Sequence, residues 1–314
     1  MRFSERFNIE PNHQKNLEFV DIRLDIDNRL FIDPTIMAVS RNQRDKVWHD
    51  KIQNFIATVL DFYRNGDNAS ARALFNCSQE SNEIYLGYTE GAPRGSGNSE
   101  ESLDEVFRYA HERRLLEEGL IERVEDLHIF VPKFGPDSLS DLVASLIKKE
   151  LIQFTVDQCN HHGIDLTVEL TKPTWNQEGN RWETVTAMLP EDADGNPIVL
   201  IPKGIITASY AYDPKHYLST VIAVNRQEYH RANETELHNR RLKTEGLVSK
   251  KMIYEEEIKG EGLTEKEYLI NNTLEDVGQI QRFRDNIRTT QKTTNNGRMS
   301  DMELENFLRD SYRE

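Results

Sequence analysis

The stretch from residue 127 to residue 158 constrains the fold of this chain most strongly. In LHIFV, at 127–131, apolar residues alternate and the run ends at a proline, a pattern that predicts a short buried strand. Gly135 and the next proline interrupt it, and Asp137 or Ser138 can cap a following helix. Apolar side chains then recur at helical spacing. So apolar a helix belongs in a core, and we expect the other elements to pack around it.

Composition narrows the class of protein. The 314 residues are 37% hydrophobic and 30% charged, which is typical of a globular chain that buries a sizeable core. The net charge of −15 argues against coating nucleic acid through overall charge, although a local basic patch could still bind it. The N-terminus lacks a signal peptide's apolar core, and no run approaches the ~18 apolar residues of a membrane helix. We therefore expect a cytoplasmic protein without membrane contact.

The chain has only two cysteines, Cys77 and Cys159. They are too few for a disulfide framework or a zinc cluster. Each lies on the apolar face of a predicted helix, so we expect both to be reduced core residues.

The remaining patterns predict a helix-dominated α+β fold. Residues 19–26 and 29–32 flank an Asp-Asn turn pair and predict an N-terminal β-hairpin. Strand patterns at 164–171, 182–189 and 197–201 predict a small central antiparallel sheet, packed on the helices. Helices are predicted over 35–64 (one broken helix or two), 69–86, 99–116 and 137–159.

The composition changes near residue 232. We expect an α+β main body over 1–232 and a charged helical C-terminal arm over 233–314, whose helices carry only narrow apolar stripes. Such stripes cannot offset an ordering entropy of ~1–2 kcal/mol per residue by themselves. We predict a separable arm that associates with another copy or a partner. The alternative is that these helices wrap the chain's own core.

Four carboxylates and one lysine are candidates for a metal-dependent active site. Glu80 and Glu83 share one helix face at i,i+3 spacing, and such a pair can hold Mg²⁺. Asp137 and Asp141 follow a predicted strand and Lys203 ends another, as in nucleases where two carboxylates and a lysine surround a metal. All five are candidate catalytic residues, and the four acids are candidate metal ligands. Alternatively, the first pair is a solvated helix face and the second caps a helix.

The nuclease signature is incomplete. Ile201 stands where the acid two residues before Lys203 should be. Glu169 and Lys172 are spaced one residue too far apart for the signature, and they lie on opposite faces of one strand.

The one glycine-rich loop, GYTEGAPRGSGN, covers residues 87–98. Backbone amides of Gly91, Gly95 and Gly97, together with the guanidinium of Arg94, form a candidate phosphate-binding site. The loop lacks the Gly-Lys-Ser/Thr ending of a nucleotide P-loop and does not follow a strand. The alternative is a surface loop without a ligand.

Two histidine patterns carry less information. Arg44 and His49 have the spacing found in helical ribonucleases of the HEPN type, and only Asp45 meets the polar residue expected after the arginine, so the motif is weak. His161 and His162 have no third ligand spaced near them, so a turn is the better interpretation than a metal site.

Four segments resemble a family of uncharacterised bacterial proteins associated with anti-phage defence gene neighbourhoods. The resemblance spans roughly residues 19–230 and rests on pattern rather than on a catalytic motif. It implies a setting, a multi-gene defence operon, and no particular reaction. The segments are LFIDP at 30–34, NEIYLGYTEGAPRGSG at 82–97, FGPDSLSDLVASLIKKEL at 134–151 and GNPIVLIPK at 195–203.

The resemblance and the candidate residues together give two functional expectations. The leading one is a cytosolic defence component that acts with a partner ATPase or nuclease from the same operon and degrades nucleic acid with Mg²⁺. The alternative is a non-catalytic sensor or adaptor that docks a partner protein through the glycine-rich loop and the charged tail. A homo-oligomer is compatible with both. An enzyme should bring the acids and Lys203 into one cleft, whereas an adaptor need not.

Overall fold

A computed structural model describes residues 1–10, 13–75, 81–87, 100–240, 247–294 and 297–310. Its helices are α1 (Phe3–Arg6), α2 (Pro34–Val39), α3 (Gln43–Arg64), α4 (Asn68–Ala73), α5 (Glu100–Glu112), α6 (Asp126–Phe130), α7 (Pro136–Leu146), α8 (Lys148–His162), α9 (Pro214–Tyr217), α10 (Ala223–Ala232), α11 (Glu236–Arg240), α12 (Lys250–Ile253), α13 (Glu265–Glu275), α14 (Gly278–Thr293) and α15 (Asp301–Asp310). Its strands are β1 (Phe31–Ile32), β2 (Val168–Asn176), β3 (Arg181–Leu189) and β4 (Ile206–Thr207). The helix-dominated α+β class is confirmed.

The central sheet is the hairpin of β2 and β3. The strands pair antiparallel from Val168 opposite Leu189 to Asn176 opposite Arg181. Trp175 and Trp182 form one cross-strand pair, and both rings meet Phe55 of α3 edge-on, at centroid distances of 5.1 and 5.9 Å. Aromatic pairs of this kind add stabilisation beyond their buried area. The predicted return over 182–189 is thus confirmed.

The N-terminal hairpin is the clearest difference from expectation. β1 pairs with β4, from Phe31 opposite Thr207 to Ile32 opposite Ile206, and residues 19–26 form no strand. The predicted solvent-facing residue Asp21 is fully buried, and its carboxylate accepts hydrogen bonds from Ser4. The alternation failed as a signal because Asp21, one of its polar positions, is buried as completely as the apolar residues Val20 and Ile22 beside it.

Most of the stretch from residue 127 to residue 158 is helical, and residues 131–135 connect α6 to α7. Residues 126–130 form α6 and not a strand, and the long helix is divided at Ile147, where φ is −103° and ψ is 23°. All five residues of α6 are buried, Asp126 and His128 included, so the alternation of apolar and polar residues does not mark a buried and an exposed face here. Gly163, at φ +68°, ends α8 in the left-handed conformation that glycine adopts without steric cost.

The other helices agree in position but differ in extent. The 35–64 pattern gives α2 and α3, and Asp33 caps α2 by accepting from the backbone N–H of Thr35, as expected. The 69–86 pattern gives only α4 and a 3₁₀ turn at Asn82–Ile84 among the described residues, and α5 ends at Glu112. The predicted strand over 197–201 lies in neither sheet, although its residues from Ile198 to Ile201 are buried.

The C-terminal helices lie against the main body. α13 contacts α6 and α9, α14 contacts α2, and α15 contacts a 3₁₀ turn at Gln14–Asn16. Phe283 of α14 is buried, with ring centroids 5.0 and 4.9 Å from Tyr212 and Tyr217. These contacts favour the alternative that the tail wraps the chain's own core. The separable arm stays a prediction for truncation to test.

Cys159 is buried and free, and burial raises the pKa of its thiol to about 12. Its expected state as a reduced core residue is therefore confirmed. Cys77 lies outside the described residues. Among the helices that the structure describes, none combines the length and apolar character needed to cross a bilayer.

Candidate functional site

A buried lysine organises the region around the first candidate acids. Lys148 opens α8, and its side chain is only 2% exposed. Its ammonium group donates to Ser81 Oγ at 2.8 Å and to Glu83 Oε1. The other oxygen of Glu83 lies 3.4 Å from the ammonium group of Lys172 on β2. Glu83 therefore faces two cations, and we call Ser81, Glu83, Lys148 and Lys172 the Lys148 cluster.

Burial and charge act on this cluster in opposite directions. Burial raises the pKa of the Glu83 carboxyl, but the ammonium groups of Lys148 and Lys172 outweigh burial and leave the pKa below its usual value. Burial lowers the pKa of Lys148, and the charge of Glu83 offsets only part of this effect. Glu83 is thus ionised at neutral pH, and its proton affinity depends on the two lysines.

Asp137 and Asp141 of α7 lie close to the Lys148 cluster. Asp141 is buried, and its negative charge opposes the lowering of the Lys148 pKa. Asp137 lies beside Gly87, because a Cβ atom added at Gly87 would be 3.0 Å from Asp137 Oδ1. Three of the candidate acids, Glu83, Asp137 and Asp141, are thus gathered around residues 81–87.

Lys203 lies in a different part of the molecule. Its ammonium group donates to the carbonyl of Gln14 at 3.1 Å and pairs with Asp301 Oδ1 at 2.8 Å. These contacts link the N-terminal segment to α15. Lys148 and Lys172 occupy the place expected of Lys203 beside the acids.

The remaining candidates, Glu80, Gly91, Arg94, Gly95 and Gly97, lie outside the described residues. The chain that leads to them is firmly held. The backbone N–H of Gly87 donates to the carbonyl of Asn28, the Asn28 side chain donates to the carbonyl of Tyr85, and Val199 donates to the carbonyl of Glu83. The glycine-rich segment thus departs from a rigid base.

The acids do not complete a metal site within the described part of the chain, where no group of three His, Cys, Asp or Glu side chains is placed to hold an ion. A divalent cation on Glu83 would lie next to two ammonium groups, and this repulsion opposes binding. Asp137 and Asp141 alone would supply two carboxylates, fewer than such an ion usually takes.

The ribonuclease-type pair is not assembled either. The Arg44 guanidinium lies over the rings of Trp48 and Phe154, at 5.0 and 5.1 Å from their centroids, and pairs with Asp45. His49 instead contacts Gln53, at 3.3 Å. The two side chains therefore have separate surroundings.

A second buried cluster joins the main body to α14, and the sequence analysis missed it. The Arg284 side chain is 1% exposed, and its guanidinium donates twice to the fully buried carboxylate of Asp126 and once to Glu122. The Tyr212 hydroxyl donates to Asp126 Oδ1 at 2.5 Å. We call these four residues the Arg284 cluster. Its one sequence signal is an arginine on the helix face that carries Ile280, Phe283 and Ile287.

Searches of the curated proteins and of the solved structures gave no significant match. The model of one protein family, described as a domain of unknown function, DUF8370, matches residues 8–213. The match covers most of the chain and includes the whole Lys148 cluster, whereas Arg284 lies beyond its end. The chain therefore belongs to the DUF8370 family.

Proposed function

We propose that this chain is a cytosolic, non-catalytic subunit of a bacterial anti-phage defence system, one that docks an ATPase or nuclease encoded in the same operon. The setting is supported by the resemblance of its four segments to proteins of defence gene neighbourhoods. The mode of action is supported by one observation, the engagement of both Glu83 oxygens by lysines.

Glu83 is poorly placed to bind a metal ion. A catalytic metal needs carboxylates whose lone pairs are free to face it. In the Lys148 cluster the charge of Glu83 is already compensated, and the cluster joins the 81–84 turn to α8 and β2. Its role is to hold the base of the glycine-rich segment. Loops on such rigid supports are a common place for binding residues.

A metal-dependent nuclease is the second candidate. It is favoured by Asp137 and Asp141, which lie one helical turn apart and beside Gly87 and Lys148. The glycine-rich segment would then bring nucleic acid phosphates to these acids.

One set of variants separates the two candidates. The operon is expressed in bacteria, phage plating is measured, and the tagged chain is purified and incubated with DNA and RNA in Mg²⁺. The adaptor proposal expects Arg94→Ala to reduce both protection and recovery of the operon partner. It expects Asp137→Asn with Asp141→Asn to leave protection unchanged.

The matched control for the acids is Asp61→Asn, since the Asp61 side chain is 69% exposed on α3. Mg²⁺-dependent cleavage by the purified chain that is lost in the Asp137/Asp141 variant and kept in the Asp61 variant would overturn the adaptor proposal in favour of the nuclease.

A further inference from the structure

A cleft of about 500 Å³ lies between the main body and α14. Its walls come from α2, from α3, from residues 122–125 and from α14. The volume is typical of sites for small ligands. Part of the Arg284 cluster lines it, so a rigid ion-paired network supports one wall.

Two buried residues of the cleft offer hydrogen-bond acceptors. Glu125 is 2% exposed, and the described residues give its carboxylate a single side-chain donor, Gln53 Nε2 at 3.1 Å. Gln291 is 3% exposed, and its Nε2 donates to Thr35 Oγ1 at 2.7 Å. The Oε1 atom of Gln291 has no hydrogen-bond partner among the described residues. An unsatisfied buried acceptor is rare and costs ~1–3 kcal/mol. The inner part of the cleft therefore suits a ligand that carries N–H donors.

The outer part of the cleft carries cations. Arg123 is half-buried and Arg288 is exposed, and neither guanidinium forms an ion pair with a side chain in the described ranges. His49 adds no charge at neutral pH, because burial lowers the pKa of its imidazole. Asp50, which is 80% exposed, lies 3.8 Å from His49, and the charge of Glu125 also acts on the His49 imidazole. Two unpaired arginines suit an anionic group, above all a phosphate.

From this arrangement we infer that the cleft binds a guanine nucleotide. Guanine presents two adjacent N–H donors on its Watson–Crick edge, N1–H and N2–H₂, which match the Glu125 carboxylate and the free Gln291 oxygen. Adenine presents a donor beside an acceptor and would leave one of these acceptors unsatisfied. The phosphate of the nucleotide then lies at the mouth, between Arg123 and Arg288. The site shares no residue with the Lys148 cluster and is independent of the adaptor proposal.

Isothermal titration calorimetry on the full chain tests this assignment with GMP, AMP, IMP, guanosine and inorganic phosphate. GMP should bind most tightly. IMP lacks the N2 amino group and guanosine lacks the phosphate, so each should bind roughly tenfold more weakly, the value of one charge-assisted hydrogen bond. Equal affinity for AMP and GMP, no binding of GMP at millimolar concentration, or equal affinity for phosphate alone would overturn the assignment.

The arginines give variants that do not disturb the core. Arg123→Ala and Arg288→Ala should each weaken GMP binding roughly tenfold and leave guanosine binding unchanged. Lys292→Ala is the matched control, because it removes the same charge from an exposed position of α14 that does not line the cleft. GMP binding that is unchanged in both arginine variants, or weakened equally by the control, would contradict the proposed position of the phosphate.

Discussion

The two buried clusters differ in what they join and in the cation that they use. The Lys148 cluster connects segments that all lie within the family region, residues 8–213. The Arg284 cluster connects Asp126, inside that region, to α14, outside it. The folded core thus extends beyond the family region. α14 supplies Arg284, the cation that pairs with the buried Asp126 carboxylate of the family region.

The cations respond differently when their partner is lost. A buried lysine can release its proton and become neutral, whereas an arginine stays charged at any accessible pH. The Lys148 cluster can therefore adapt to a missing acid, and the Arg284 cluster cannot. Three predictions examine this difference, beginning with the largest effect.

Truncation after residue 232 should abolish cooperative folding of the main body. It removes Arg284 and Phe283, leaving Asp126 buried without its cation and exposing the rings of Tyr212 and Tyr217. We expect insoluble protein, or a far-UV circular dichroism melt without a sharp transition. A soluble fragment with a cooperative melt and an altered oligomeric state would instead establish the separable arm that the sequence predicts.

Arg284→Met should lower the free energy of unfolding by ~3–5 kcal/mol, because it leaves the buried Asp126 carboxylate unpaired. Urea denaturation measures the loss. Arg282→Ala, on the same helix, removes an exposed pair with Asp276 and should cost no more than ~1 kcal/mol. Similar losses in the two variants would show that the buried Arg284 pair contributes no more to the free energy of unfolding than the exposed Arg282 pair does.

Glu83→Gln should cost ~2–3 kcal/mol at pH 7, less than Arg284→Met, because Lys148 can respond by deprotonating. The pKa of Lys148 in the folded protein is already below its unfolded value of 10.5, and loss of Glu83 lowers it further. The unfolded state then binds more protons, so stability rises with pH. The loss in free energy of unfolding caused by Glu83→Gln should therefore shrink between pH 7 and pH 9.

Asp126→Asn is the control for this pH dependence, since the Arg284 guanidinium keeps its charge over the whole range. The loss in free energy of unfolding caused by Asp126→Asn, measured by urea denaturation, should stay constant from pH 7 to pH 9. If the loss caused by Glu83→Gln is equally independent of pH, Lys148 does not release its proton.

Local signals in the sequence predicted much of the fold. The Asp33-Pro34 start of α2 and the β2–β3 hairpin depend on capping and on alternation over a few residues, and both could be recognised. The partner of β1 is β4, about 175 residues away, and no local pattern encodes such a pairing. Residues 126–130 were misassigned because they are buried on every side.

The candidate site was predictable only in part. Glu83 was chosen for its i,i+3 spacing from Glu80 beside the glycine-rich loop, and Asp141 was chosen because it follows a predicted strand. Lys148 was not chosen, although Ile147 and Leu151 flank it in the apolar stripe, and an unexpected charge in such a stripe is a signal. Lys203 was chosen for its position after a strand pattern, but the tertiary fold directs it to Asp301.

The tryptophans placed around α3 and the hairpin have a practical consequence. The chain has three, Trp48, Trp175 and Trp182, and all lie before residue 213. Trp175 and Trp182 meet Phe55, so their emission reports on the contact between α3 and the hairpin. Because the main body is expected to lose its cooperative fold without α14, the loss of helical circular dichroism and the shift of the fluorescence maximum should coincide. Following both signals in one titration thus tests whether the C-terminal helices and the family region unfold together.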